Sequence, residues 1–382
     1  MKKHIYKFCG VVMLGFLLHN AAFAQDNGGT SGFTPSGKIV GQLFGDYYWK
    51  AHADTLLRGS TQYAALPNGS NAFEFRRIYL GYDYQFSPKI SAEVMAAYES
   101  NLDAGGNRTF YVKYAYVKVK DIYTNADLFV GAIKTPTYSL VEEDVWTYRS
   151  LERTITDMRG FGKSNDVGIS LNGRFDAAGN YGYNLMIGNG TATKPETNIF
   201  KKFYGEVYGK FANQHIILDV SSDYERSQLW FNDDMSKTTI KGFAAYTSTP
   251  ITVGVTYVTQ MQQNGEIATD AAKVHDTSTE EPMGLSAFVR GQIVPGKLGF
   301  FARFDTYTPD QNYNNADTYN KGYLGGLQEN FILAGLDFTP LKNVHFMPNV
   351  WIDTYHSQAN GVSGRIANDQ DIVARVTLFY KF

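Results

Sequence analysis

The chain has 382 residues, 43% of them hydrophobic, 15% aromatic and 19% charged, with a formal net charge of −2. So small a charge offers no electrostatic footprint for nucleic acid, and the single cysteine, Cys9, excludes a disulfide framework and a thiolate metal site. Beyond the first 24 residues no run of about eighteen apolar residues occurs, which excludes a transmembrane helix.

Residues 1–24 read as a signal peptide. Lys2, Lys3 and Lys7 make a basic start, Val11 to Leu18 an apolar core, and Ala22-Phe23-Ala24 a small-x-small cleavage site. Cys9 precedes the apolar core, which argues against a lipoprotein. Cleavage before Gln25 takes three of the 35 basic residues and none of the 37 acidic ones, leaving an exported chain of net charge −5. Residues 25–37, rich in Gly, Ser and Thr, are expected to form a flexible arm.

From Lys38 to Phe382 the pattern is that of strands. Ile39, Leu43, Tyr47 and Trp49 share one parity, and Lys38, Gln42 and Asp46 the other. Ile78, Leu80, Tyr82, Tyr84 and Phe86 oppose Arg77, Tyr79, Gly81 and Asp83; after the turn Ser87-Pro88-Lys89, Ile90, Ala92, Val94, Ala96 and Tyr98 oppose Ser91, Glu93 and Glu99. Alternation of this kind marks a sheet with two unlike faces. Sixteen such runs follow one another, centred on Leu43, Leu80, Val94, Tyr114, Phe129, Ile169, Leu185, Val207, Leu218, Ala244, Val255, Ala287, Ala302, Ala334, Val350 and Val376. In the fourth run the parity is ambiguous, because Phe110, Val112, Tyr114 and Tyr116 compete with Ala115, Val117 and Val119.

The connections alternate short and long. Ser87-Pro88, Thr249-Pro250 and 295–297 are short; 51–71, 135–165, 225–237, 263–282 and 308–328 are long. Transmembrane barrels alternate in this way, with short periplasmic turns and long outer loops. The expected fold is therefore all-β: an antiparallel outer-membrane β-barrel over 38–382, probed by lipid on one face and by water on the other. Tyr47, Trp49, Tyr82, Tyr84 and Tyr380 are expected in its aromatic girdles.

The last residues sharpen this reading. Ile372, Ala374, Val376, Leu378, Tyr380 and Phe382 share one face and Arg375, Thr377 and Lys381 the other, and the chain stops on the aromatic. Tyr380 and Phe382 are accordingly taken as the assembly signal presented to the barrel-assembly machinery. An ordinary edge strand with this stripe would leave five apolar side chains in water.

A family resemblance becomes specific at 114–173. Tyr114-Ala115-Tyr116-Val117, Val130-Gly131-Ala132-Ile133-Lys134-Thr135-Pro136, Leu140-Val141-Glu142, Arg149-Ser150-Leu151-Glu152-Arg153 and Asn165-Asp166-Val167-Gly168-Ile169-Ser170-Leu171-Asn172-Gly173, with Arg76-Arg77-Ile78-Tyr79-Leu80-Gly81 upstream, resemble the phosphate-selective porin O and P family. The resemblance implies a sixteen-stranded barrel, usually a homotrimer, that passes anions through a constriction lined by basic side chains.

The long segment 135–165 is the natural candidate to fold into the lumen, where it constricts or plugs the passage; it carries Arg149, Arg153, Arg159 and Lys163 beside Glu142, Glu143, Asp144, Glu152 and Asp157. On the wall, parity sends Arg77, Lys113, Arg174, Lys202, Lys210, Lys241, Arg303, Arg375 and Lys381 inward, with Asp46, Asp83, Glu93, Glu99, Glu206, Asp305, Asp337 and Asp353. A nearly balanced lumen departs from the basic pattern of the family, and an inward cation in a barrel is more often tied to a carboxylate than to a permeating ion. Narrow, low-dielectric passages focus charge, and the residues expected to contact ions are Arg77, Lys113, Lys134, Arg149, Arg153, Arg159, Lys163 and Arg174, with Arg77, Lys113 and Lys134 foremost because they lie on the early strands where the family resemblance is tightest.

Catalytic patterns are poor. There is no Gly-x-Ser-x-Gly elbow and no His-Glu-x-x-His site, Gly162-Lys163-Ser164 lacks the first glycine of a phosphate loop, and His52, His215, His275, His345 and His356 are scattered. Asn368, Asp369 and Asp371 suit a loop calcium by residue type but lack the glycine and terminal glutamate of a dedicated loop, and read as a solvated rim. No cofactor is expected. The best-supported function is a porin for passive diffusion of small hydrophilic solutes or anions across the outer membrane. Two alternatives stay open: a non-conducting barrel for adhesion or anchoring, and an outer-membrane lipid hydrolase.

Overall fold

In a bilayer an open strand edge leaves N–H and C=O groups without partners, so an alternating chain of this kind is stable only as a closed ring. The computed structural model describes residues 32–59, 61–100, 102–136, 140–228, 234–270, 273–314, 323–357 and 368–382. The signal peptide, its cleavage point and residues 25–31 of the arm lie outside the described residues.

The chain begins with β1 (Ser36–His52), β2 (Asn71–Gln85), β3 (Ile90–Tyr98), β4 (Tyr111–Tyr123) and β5 (Ala126–Lys134). Two short helices, α1 (Leu140–Trp146) and α2 (Ile155–Met158), interrupt the strands. There follow β6 (Asn165–Arg174), β7 (Tyr181–Gly188), β8 (Lys202–Phe211), β9 (Ile216–Gln228), β10 (Asp234–Thr247) and β11 (Ile251–Asp270). The last group is β12 (Lys273–Glu280), β13 (Met283–Val294), β14 (Leu298–Thr308), β15 (Leu327–Leu341), β16 (Val344–Ser357) and β17 (Asp369–Lys381). Each strand pairs antiparallel with its neighbours, and β1 pairs with both β2 and β17, which closes the ring. β12 and β13 pair in succession along β11 and together make one stave, so the barrel has sixteen.

All sixteen run centres, from Leu43 to Val376, lie within strands. Several boundaries differ from expectation, among them 225–237, where β9 runs on to Gln228 and β10 starts at Asp234. Strand β1 starts at Ser36, paired with Gln85, two residues before Lys38. Much of 263–282, expected as loop, is the continuation of β11 and its return as β12, with Ile267 opposite Thr277. Alternation is imposed by two unlike faces. Above the lipid both faces are wet, and the ladder persists on backbone hydrogen bonds without the pattern.

Leu80, Val94, Val207, Val220 and Val255 stand exposed around the outer wall. Tyr82, Phe86 and Phe382 mark its short-turn end and Tyr47, Trp49 and Phe73 its long-loop end, all exposed; Tyr84 and Tyr380 are half-buried against Phe86 and Phe382. Phe73 to Tyr82 is about 30 Å of extended strand, or roughly 23 Å of height at a tilt near 40°, the height of an outer-membrane apolar band.

Two bulges reset the parity. Between β1 and β2 the register shifts from Phe44↔Arg77 to Gly45↔Phe75, leaving Arg76 as the extra residue, so Arg76 and Arg77 are both buried inside. Between β3 and β4 it shifts from Met95↔Tyr114 to Ala96↔Val112, leaving Lys113 extra. The outward series is Phe110 and Val112 on one side of this bulge and Val117 on the other, while Lys113 and Tyr114 both point in. The ambiguous parity of this strand thus has two correct halves.

The lumen is not evenly open. Phe243, Phe288, Phe301, Phe331, Leu333, Met347, Trp351 and Val373 face inward from β10 and β13–β17, and pack with Trp146, Leu151 and Met158 into one apolar core inside the barrel.

Candidate pore and constriction

After β5, residues 140–164 lie in the lumen and cross to the apolar side. Its aromatic and aliphatic residues Trp146, Leu151, Ile155, Met158 and Phe161 are all nearly inaccessible. Hydrophobic burial alone would leave the irregular stretch between α1 and α2 with unpaired carbonyls, and the wall supplies donors for them. Arg76 donates to the Ser150 carbonyl and, at 3.0 Å, to that of Leu151. Arg375 donates to the same Leu151 carbonyl at 3.2 Å, Arg303 to that of Arg153, Arg290 to Val145 at 2.8 Å and Gln260 to Phe161 at 3.0 Å. Carboxylates tie the loop at other points: Glu142 accepts from Thr256 at 2.7 Å and lies 3.4 Å from Lys241, and the Tyr148 hydroxyl donates to Asp337 at 3.0 Å. The loop is therefore held from β2, β10, β11, β13, β14, β15 and β17 at once.

A second segment also turns inward. After β1, Arg58 grips Asp54 through two nitrogens at 2.9 and 2.7 Å, and Tyr63 packs edge to face on Trp351 at 5.1 Å. Lys50, fully buried, donates to the carbonyls of Tyr63 and Ala64 at 2.6 and 3.1 Å and lies 2.8 Å from Asp371. Asp371 also accepts from the Asp54 N–H and the Tyr355 hydroxyl. Asp369 accepts from Thr55 at 2.8 Å and bonds His52 at 2.9 Å. The pair expected as a solvated rim or loop calcium site is instead an anchor for this segment. Its oxygens are taken by protein donors, and among the described residues no group of three metal-ligating side chains converges.

The candidate ion contacts fall into two kinds. Lys113, Arg77 and Arg149 surround one carboxylate, Glu99, at 2.8, 3.9 and 4.0 Å. Arg149 also reaches Asp157 at 3.0 Å, and Arg153 reaches Glu152 at 3.4 Å and Asp157 at 3.6 Å. Arg159 is locked between Glu329 and Asp353, Lys163 donates to the Gly190 carbonyl at 3.2 Å, and Arg174 lies 3.2 Å from Asp121. Lys134 differs: it is exposed in the lumenal cavity, and among the described residues it has no ion-pair partner. Most of the expected contact residues are therefore also structural cations.

The sequence reading did not single out Arg76, Lys50, Asp219, Asp223 or Glu329 as inward charges, and all are buried inside. Lys50 shares the parity of Lys38, Gln42 and Asp46 and was legible. Arg76 was not, because only the bulge turns it inward. On the inward loop, burial would raise the Glu152 carboxyl, but the guanidiniums of Arg153, Arg76 and Arg77 outweigh it and hold that group at about 2. Burial raises Asp144 above its ordinary value despite nearby Lys134.

Open space remains beside the loop, mostly against β1–β8 and reaching β9, β10, β13 and β17 at its margins. A cavity of about 640 Å³ is bounded by Glu93, Lys113, Tyr116, Lys134, Arg149 and Lys381, among others. A second, of about 470 Å³, shares Lys118, Phe129, Asp144 and Asn172 with it and continues to Arg174 and Lys210.

No family model matches the chain, and no curated protein does. Solved structures do. The outer membrane channel DcaP of Acinetobacter baumannii is similar at a TM-score of 0.67 and 12% identity, covering 92% of this chain and 99% of that one. The anion-selective porin from Comamonas acidovorans gives 0.61 and 11%, covering 91% and 100%. The trimer form of OmpT, an outer membrane protein of Vibrio cholerae, gives 0.56 and 11%, covering 92% and 100%. The fold is that of the outer-membrane porins. At these identities the likeness concerns the fold, and it does not single out the phosphate-selective family within it.

Proposed function

We propose that the chain is exported by its leader, inserted in the outer membrane, and acts as a porin for passive diffusion of small hydrophilic solutes, with a weak anion preference. The observation that carries this reading is the pair of adjoining cavities with charged side chains left beside the inward loop. A barrel built only as an anchor has no use for a charged, solvent-sized space on one side of its lumen. The preference rests on Lys134, which faces the cavity with no carboxylate in ion-pair contact among the described residues, with Arg77 and Lys113 behind it sharing a single carboxylate. A homotrimer accords with the short staves β3 and β5–β8 on one side of the ring, and the Vibrio cholerae neighbour is described as a trimer form.

A non-conducting anchor has one observation in its favour, the apolar core that fills the β10–β17 side. The hydrolase reading is weaker. Among the described residues Thr339, His345 and Asp337 come together, but Thr339 and Asp337 both meet the same Nδ1 of the imidazole, so no proton can be relayed through the ring. Single-channel recording in a planar bilayer decides. Steady ohmic conductance supports the porin; a silent, folded barrel overturns it in favour of the anchor.

A further inference from the structure

The cavity below the inward loop is lined unlike a plain water channel. Lys118 and Phe129 are cross-strand partners on β4 and β5, with the amine 5.2 Å from the ring centroid. Tyr116 meets Phe129 edge to face at 5.6 Å, and Phe379 of β17 brings another ring to the same cavity, seated against Phe44 at 5.3 Å. Two lysines of this wall, Lys134 and Lys381, are exposed, and among the described residues neither has an ion-pair partner. Of the carboxylates in the wall, Glu93 accepts from the Tyr116 hydroxyl at 2.6 Å and Glu143 lies 3.5 Å from Arg149, while Asp144 faces the cavity as well. A hydrated inorganic ion gains nothing from half-exposed aromatic faces, whereas a cavity of about 640 Å³ is in the size range that accepts small organic molecules.

We infer that this vestibule binds small aromatic monocarboxylates, the ring against Phe129 and Tyr116 and the carboxylate on the amine of Lys134. The inference rests on the channel reading and names the solute class. Phosphate fits the wall less well: its oxygens favour the forked guanidinium, and that of Arg149 is already engaged with Asp157 and Glu143. Aromatic walls strip water from phosphate oxygens without replacing it. A flat ring loses little on leaving water and gains edge and face contacts with the two aromatics.

The test uses benzoate, acetate, inorganic phosphate and benzylammonium as blockers of potassium chloride current through the reconstituted barrel. Calorimetric titration of the detergent-solubilised protein with the same four runs in parallel. Benzoate is expected to half-block at a concentration at least about tenfold below acetate, a difference of about 1.4 kcal/mol. Phe129→Ala is expected to erase that advantage. Lys134→Gln, at an exposed position that leaves folding intact, is expected to weaken benzoate severalfold. Benzoate no better than acetate, phosphate better than benzoate, or benzylammonium equal to benzoate would each overturn the inference. Absence of conductance before any organic ion is added overturns the channel reading instead, and the calorimetry still decides the site.

Discussion

The guanidinium of Arg76 and the carboxylate of Asp46 are in direct contact on adjacent strands, and both are almost wholly buried. The same guanidinium holds the inward loop at Ser150 and Leu151, while Asp46 also accepts from Thr377 and Tyr63. One ion pair thereby joins the ring closure, the first-loop peg and the constriction.

Removing one member leaves a buried charge uncompensated. Arg76→Met is expected to cost about 3–5 kcal/mol of stability and to raise current noise as the loop loosens. Arg76→Met combined with Asp46→Asn should recover part of the loss, since neither charge is then stranded. Urea unfolding of the detergent-solubilised barrel, followed by tryptophan fluorescence, measures both; equal stability of the single variant and the parent would contradict this role.

Selectivity should respond to Lys134 more than to the paired arginines. Lys134→Glu reverses two unit charges' worth of field, roughly 1 kcal/mol at about 8 Å in a water-like medium, a several-fold change in anion-to-cation ratio. The reversal potential in a salt gradient should move toward cation preference. Replacing Arg77 and Lys134 together by glutamate should move it further. A parent pore that already prefers cations, or a double variant with an unchanged potential, would refute the anion preference while leaving the porin fold untouched.

Acid should loosen the loop. Glu152 is held at about 2 in the folded chain against an ordinary 4.5, so its contribution is fully present above about pH 4.5 and is lost as pH falls toward 2. The size is about 3 kcal/mol. Current noise should therefore rise between pH 4.5 and 2, and Glu152→Gln should show the same noise at neutral pH with a flattened dependence on acid.

The terminal aromatic has a prepared seat. Phe382 exchanges backbone hydrogen bonds with Gly41, 3.0 Å each way, and a Cβ at position 41 would lie 2.4 Å from its ring. Deleting Phe382 should lower the amount of compact, heat-modifiable barrel, and Gly41→Val should do so more mildly. Unaltered gel mobility of both would make the aromatic incidental.

The barrel was legible because lipid outside and water inside impose a period of two on every stave, and the outward residues Leu80, Val94 and Val376 carry that period in plain view. The interior was less legible. Parity finds which charges point in, as with Lys241 and Arg303, but it does not say whom they meet. The bulge at Lys113 shows in sequence only as an ambiguous parity, which does not say where the register shifts, and that at Arg76 was hidden behind the regular run that follows it. The inward course of 135–165 was expected, but that Tyr63 of the first loop joins Trp146 in one interior core depends on where both loops fall in the ring, which nothing local to Tyr63 specifies.

The pairing of β1 with β17 has a consequence for the order of assembly. Thr377 and Asp46, 331 residues apart, become neighbours only when the last strand meets the first. Tyr48, Trp351 and Val373 of the interior core flank the same seam. Until the C-terminal strand arrives, the core has no far wall, and Leu151 lacks the Arg375 donor. These interior contacts are thus complete only once the ring is shut. A chain stalled short of Phe382 would present half its lumen, aromatic side chains included, as an open trough.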